Sequence, residues 1–233
     1  MDNKPFVTAV IVAAGNSTRM SCGMSKQLIP LLGKPTIGYT LNAFEKAHSI
    51  SEIIVVCRES DIPSIREVAE NEACTKVKAF VLGGATRCES VRAGIIAANK
   101  NATHFAIHDG ARALILSDDI DKVVSAALES GAAALAVPVT DTVKIVDDKG
   151  YVISTPDRST LRAAQTPQVF EKSLYMSALD KAAGLDFTDD CALVEHAGGK
   201  IRIVIGDYTN IKLTTPQDIP LAEGVLKKRI EGD

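Results

Sequence analysis

Val7-Thr8-Ala9-Val10-Ile11-Val12-Ala13-Ala14-Gly15 is the stretch on which the fold turns. Its β-branched apolar residues run almost unbroken and stop at small ones. That is the pattern of a strand buried on both faces, as in a parallel sheet covered by helices. Similar runs recur at Ile53–Val56, Ala79–Leu82, Phe105–Ile107 and Ala134–Val137. Between them, Ile37, Leu41 and Phe44 repeat at helical spacing, as do Ile62, Ile65 and Val68, and Val91, Ile95 and Ala98. Ser117-Asp118-Asp119 reads as an N-cap and acidic first turn for a helix carrying Ile120, Val123, Val124 and Leu128. Alternation at this rhythm predicts an α/β fold, a Rossmann-like, mostly parallel sheet with helices on both faces.

The chain has 233 residues, 46% hydrophobic and 24% charged, the balance of a globular protein with a sizeable core rather than a disordered one. No internal repeat or low-complexity linker divides it, so the expectation is one domain over residues 1–233. Net charge is −3, with 26 Lys+Arg against 29 Asp+Glu, which offers no broad basic face for nucleic acid. No apolar run approaches the ~18 residues of a membrane span. The start, Met1-Asp2-Asn3-Lys4-Pro5, lacks the basic region and cleavage site of a signal peptide, so a cytoplasmic protein is expected. The cysteines number five, an odd set without metal-knuckle spacing, and read as reduced thiols. His104 and His108 share a strand face but lack a third ligand, and are read as structural.

One region breaks the rhythm. Thr142–Val146 and Tyr151–Ser154 flank Asp147-Asp148-Lys149-Gly150, a turn composition. They predict a β-hairpin inserted at about 139–156. An isolated hairpin is marginal in water, so it needs a surface to pack on. A second subunit and the edge of the main sheet are both open to it.

Ligands of open α/β sheets bind at the carboxyl ends of strands. Ala13, Ala14 and Gly15 are small enough for backbone N–H groups to approach phosphates, and Arg19 and Lys26 follow them. The G-x-G-x-x-G and P-loop patterns are both missing: Ser17 and Met20 stand where dinucleotide glycines would be. Gly83-Gly84-Ala85-Thr86-Arg87-Cys88-Glu89-Ser90 opens a helix, with Thr86 and Glu89 spaced as a capping box and Ser90 offering a hydroxyl. The glycines would let a flat ring approach the backbone. His108-Asp109-Gly110-Ala111-Arg112 places a carboxylate at another strand end, suited to Mg²⁺ or a ribose, or to pairing with Arg112. Lys212 lies between Ile211 and Leu213 in a strand-like stretch, where a lysine wants an anionic partner.

These motifs, with Gln165-Thr166-Pro167-Gln168, Asp141–Lys144 and Thr188-Asp189-Asp190, resemble the nucleotidyltransferases that join a nucleoside triphosphate to a phosphorylated metabolite. The nearest likeness is to the 2-C-methyl-D-erythritol 4-phosphate cytidylyltransferase family, from Ala9 to about Leu226. The resemblance implies that Arg19, Lys26 and Lys212 act at the reacting phosphate of CTP. It implies nucleotide contacts at Ala13, Ala14, Gly15, Gly83, Gly84, Ser90, Asp109 and Gly110. It implies contacts to the polyol phosphate at Arg112, Thr142, Arg158, Thr166 and Thr188, with Thr142 and Arg158 on an arm that reaches across a homodimer. Mg²⁺ would be held mainly by CTP, with Asp109 as its protein ligand. Ser17 and Ser25 depart from the family's common residues, and Ala85 stands where some members have an acidic one, but none removes a charged catalytic position. Two other readings remain: the same transfer to ribitol 5-phosphate, and a non-catalytic nucleotide-binding regulator. Keeping charge focused on one phosphorus, with both Arg19 and Lys26, speaks against a mere binder. An NAD-dependent oxidoreductase is a third, disfavoured by the missing glycines.

Overall fold

The computed structural model describes residues 5–15, 25–182 and 185–232. Strand β1 (Val7–Val12) lies inside a sheet with β4 (Glu52–Cys57), β5 (Val77–Leu82), β6 (His104–Asp109), β7 (Ala132–Pro138), β10 (Arg162–Glu171) and β11 (Arg202–Ile205). Their order is β11-β7-β10-β6-β1-β4-β5. β10 runs antiparallel to both β6 and β7, and the other pairings are parallel. The short strands β2 (Pro30–Leu31) and β3 (Lys34–Pro35) form a separate turn.

Alternate residues of each strand feed opposite layers. Ala9, Ile11, Ile53, Val55 and Leu135 pack under α1 (Thr36–Lys46), α2 (Ile62–Asn71) and α4 (Ser117–Ser130). Val10, Val56, Phe105, Ile107 and Phe170 pack under α3 (Arg87–Ala97), α5 (Lys172–Lys181) and α6 (Asp190–His196). Burial on both faces explains why β1 and β4 read as continuous apolar runs rather than alternating ones. A third apolar cluster joins Leu31, Ala111, Leu114 and Leu213 to Ala222 and Leu226 of α7 (Asp218–Glu231). It pins the segment after β6 and the segment around Lys212 to one helix.

The chain order puts a switch point beside β1. The chain leaves β1 through β4 to the edge strand β5, then returns to lay β6 on β1's other side. At such a point the loops leaving adjacent strands diverge and open a crevice at their carboxyl ends. Ala13–Gly15 and Asp109–Gly110 are the residues that leave those two strands.

Three expectations need correction. Ser117 is the first helical residue of α4, not its cap; Leu116 holds the cap position and makes no side-chain cap bond, though Asp118 and Asp119 do occupy the first turn. The Lys212 stretch is irregular rather than a strand, because Leu213 bonds back to the carbonyl of Ala111 instead of to a sheet edge. The hairpin is shorter than expected, β8 (Ile145–Val146) paired with β9 (Val152–Ser154), which leaves Thr142 outside it. It forms its own two-stranded sheet, so it does not extend the edge of the main one. Asp147 accepts the N–H groups of Lys149 and Tyr151, and Gly150 takes a φ of +84°, which closes the turn. The hairpin's side chains are exposed, Tyr151 by 71% and Ile153 by 65%.

Candidate active site

The site begins with close backbone approach. Gly83 follows β5, and a Cβ there would lie 2.2 Å from that of Ala14 and 3.0 Å from the Ser90 hydroxyl. A Cβ on Gly110 would lie 3.0 Å from Ile37, 3.1 Å from Gln27 Oε1 and 3.3 Å from Ala13. The loops after β1, β5 and β6 therefore touch through small residues. The Ala13 N–H bonds the Val56 carbonyl, that of Gly110 bonds Val12, and that of Gly83 bonds Cys57. Gly83→Ala should force Ala14 aside at about 1–3 kcal/mol. Thermal melts check this: the melting temperature should fall, and an unchanged variant would contradict the contact.

The capping box is present at the head of α3: Thr86 Oγ1 accepts the Glu89 N–H, and Glu89 Oε2 accepts from Thr86 and Ala85. Ser90 accepts the Gly84 N–H and donates to the Thr86 carbonyl. The N–H groups of residues 83–86 are thus engaged within the protein.

Asp109, at the end of β6, is the electrostatic centre. Lys212 Nζ is 2.8 Å from Oδ2, Arg112 Nε is 3.8 Å from the same oxygen, and Arg87 Nε is 3.9 Å from Oδ1. Burial pushes the Asp109 carboxyl up, but Lys212 first and then Arg87 and Arg112 outweigh it, so it stays below the ordinary carboxylate range. Three cations face this carboxylate and Arg87 is shared with Asp190, so three positive charges meet two carboxylates and leave a small local positive excess, as an anionic ligand requires.

Both arginines are held from behind. Arg87 reaches Asp190, buried at the head of α6, at 2.6 Å. Burial lowers the basicity of Arg87, but Asp190 and then Asp109 more than offset it and hold the guanidinium protonated. Tyr175 donates to the other Asp190 oxygen at 2.6 Å, and Gln168 Oε1 accepts the N–H groups of Asp190 and Cys191. Arg112 donates to the carbonyls of Asn210, at 2.7 Å, and Ala164. Asn210 in turn bonds Gln165 and the Thr166 carbonyl. Arg112 therefore ties β10 and the Lys212 segment to the Asp109 turn.

Lys26 stands in the turn Ser25–Leu28. Ile37 N–H bonds the Gln27 carbonyl, Leu28 N–H bonds that of Ser25, and the buried Gln27 side chain lies against Gly110. The lysine is thus carried on a segment seated beside the Asp109 turn. Arg19 lies outside the described residues, as do Ser17 and Met20.

The remaining expected residues divide. Thr166 is buried and bonds the Asp109 N–H and His108. Thr188 is exposed just ahead of Asp189, which caps α6. Thr142 and Arg158 are exposed, and Arg158 donates to the carbonyl of Thr140; among the described residues neither reaches the Asp109 cluster within one chain. His108 is wholly buried, and burial drives its basicity down to about 3, so it is a neutral core residue. Among the described residues no cluster of three His, Cys, Asp or Glu could hold a metal ion, and Cys57, Cys74, Cys88 and Cys191 are unpaired thiols. No helix there is long and apolar enough to cross a membrane. Sequence reading missed the roles of Arg87 and Asp190. The available signal was an arginine at a helix's first position, where the dipole disfavours a cation unless a carboxylate holds it.

Comparison with known proteins agrees with this arrangement. The family model for 2-C-methyl-D-erythritol 4-phosphate cytidylyltransferase matches residues 7–228. The enzyme of that name from Caldanaerobacter subterraneus subsp. tengcongensis is 45% identical over 225 residues, covering 95% of this chain and 99% of the relative. The one from Bacillus licheniformis is 44% identical over 220 residues, covering 94% of each. The crystal structure of 4-diphosphocytidyl-2C-methyl-D-erythritol synthase from Anaerococcus prevotii superposes with a TM-score of 0.87 at 32% identity, over 97% of both chains. With its strand order, its interlocked small-residue loops and this breadth of likeness, the chain belongs to the 2-C-methyl-D-erythritol 4-phosphate cytidylyltransferase family.

Proposed function

We propose that this chain is one catalytic domain that transfers a cytidylyl group from CTP to 2-C-methyl-D-erythritol 4-phosphate, releasing pyrophosphate, in the cytoplasm as a homodimer. The observation that carries the reading is the Asp109 carboxylate ringed by Lys212, Arg112 and Arg87 at the switch point of the sheet. A phosphate oxygen of the polyol attacks the α-phosphorus of CTP, the bond to the bridging β-phosphate oxygen breaks, and pyrophosphate leaves with those electrons. The attacking phosphate is already ionised, so no general base is needed. Negative charge gathers on the five-coordinate phosphorus, and fixed cations stabilise it most where water is excluded. Lys212, Lys26 and Arg19 are assigned that work, and the loops supply orientation.

The residues fit a divalent cation only as a partner of the triphosphate. Asp109 offers one carboxylate, whose Oδ2 is taken by Lys212, while Oδ1 has Arg87 no closer than 3.9 Å. Mg²⁺ ordinarily takes one or two carboxylates, with phosphate oxygens and water completing the shell. When bound, it would neutralise part of the triphosphate charge and polarise the phosphoryl oxygens.

Base selection follows from the Gly83–Thr86 loop. Its N–H groups are engaged internally and cannot donate to a base, which leaves base reading to the backbone carbonyls ahead of Thr86. Carbonyls accept from the exocyclic amine of cytosine and repel the O4 acceptor of uracil. A purine needs more room than a pyrimidine. CTP should therefore outperform UTP, ATP and GTP in kcat/KM, read by pyrophosphate release with methylerythritol phosphate. Equal turnover of all four would overturn the cytidylyl assignment and leave only a nucleotidyltransferase.

A further inference from the structure

The turn that carries Asp109 is held by a directed chain of hydrogen bonds with His108 at its centre. His108 Nε2 is 3.3 Å from the Arg112 carbonyl, and Nδ1 is 2.9 Å from Thr166 Oγ1. Thr166 Oγ1 is also 3.1 Å from the Asp109 backbone nitrogen. The roles can be worked out from the groups themselves. A backbone N–H only donates and a carbonyl only accepts. The Asp109 N–H therefore donates to Thr166, and the Arg112 carbonyl accepts from Nε2. A neutral imidazole has one N–H, so it sits on Nε2 and Nδ1 is bare. The Thr166 hydroxyl then spends its single proton on Nδ1. Every member of the chain is satisfied in one arrangement.

The ring is fixed as well as bonded. It is fully buried, with the Phe44 ring centroid 4.9 Å away. Thr166 is only 4% exposed. Its proton and one lone pair are committed to the protein, which argues against a hydroxyl reserved for substrate.

We propose that His108 is a positioning residue, locked as the Nε2–H tautomer, which acts through the Thr166 hydroxyl to set the Asp109–Arg112 turn and with it the carboxylate that Lys212 meets. The importance of that turn rests on the proposed cytidylyl transfer; the tautomer does not. Small displacements matter here, since a misplacement of about 1 Å at a reacting centre can cost ~10² in rate.

The test has two arms. In ¹⁵N-histidine-labelled protein without substrate at neutral pH, the His108 signals, assigned by their loss in His108→Phe or His108→Gln, should show a protonated Nε2 and a bare Nδ1. An Nδ1–H tautomer overturns the chain of bonds whether or not the enzyme makes the proposed product. In the second arm, Thr166→Val, which keeps volume and removes the hydroxyl, should lower kcat by ~10-fold to 10²-fold with both KM values little changed. Thr166→Ser should recover activity relative to Thr166→Val. If Thr166→Val instead raises the polyol phosphate KM at unchanged kcat, the hydroxyl is a substrate contact and the positioning role fails. Should wild-type protein lack cytidylyl transfer altogether, the functional reading fails while the tautomer result still decides the hydrogen-bond chain.

Discussion

Lys26→Ala should retain the fold and lose ~10²–10³ in kcat, the scale seen when one preorganised charge donor is removed from a developing oxyanion. The fold should survive because the backbone bonds of the Ser25–Leu28 turn and the buried Gln27 side chain stay in place. The rate should fall because Lys26 is carried beside Gly110, against the turn where Asp109 already gathers Lys212, Arg87 and Arg112. A loss confined to KM would mean that the lysine binds CTP and its transition state equally, which raises affinity without speeding chemistry. Arg19→Ala carries the same expectation from the sequence. Stopped-time pyrophosphate release with circular dichroism on the same samples decides it: near wild-type turnover in a folded Lys26→Ala protein would remove the residue from the mechanism.

The second large effect is a recovery of activity. Thr142 and Arg158 are exposed and do not reach the Asp109 cluster of their own chain, and the hairpin between them shows water Ile145, Val146, Tyr151, Val152 and Ile153. A two-stranded ribbon with that surface is marginal alone. If it docks on a second copy, each site takes Lys26 from one chain and Arg158 from the other. Lys26→Ala and Arg158→Ala homodimers would both be inactive. Mixed and allowed to exchange, they form hybrids in which one site has both defects and the other has none. Equal mixing of a two-fold dimer should restore about a quarter of the wild-type sites. An arm acting on its own chain gives no recovery, because every chain then keeps one defect.

The scaffold was legible in the sequence because parallel strands buried on both faces leave long apolar runs, and helices leave a 3.6-residue period. β10 was not, since Arg162–Glu171 mixes exposed and buried residues and carries Pro167 in its middle, where the register with β7 shifts. Lys212 looked like part of a strand because Ile211 and Leu213 flank it, yet Leu213 is apolar for a different reason: it fills the cluster beneath α7. The site divided in the same way. Asp109, Gly83 and Gly110 announced themselves as small or charged residues at strand ends. The Arg87–Asp190–Tyr175 chain did not, because its members lie far apart in sequence and only the α3, α5 and α6 layer brings them together.

The central claim is that the cationic cluster around Asp109 serves transfer from CTP to one particular polyol phosphate. Initial rates of pyrophosphate release, with CTP and Mg²⁺ fixed, should be compared for 2-C-methyl-D-erythritol 4-phosphate, D-erythritol 4-phosphate and ribitol 5-phosphate, with mass spectrometry of each product. The account predicts the highest kcat/KM for methylerythritol phosphate and a product carrying a cytidine diphosphate joined to the polyol. Faster turnover of ribitol 5-phosphate, or no pyrophosphate release with any of the three, would contradict it.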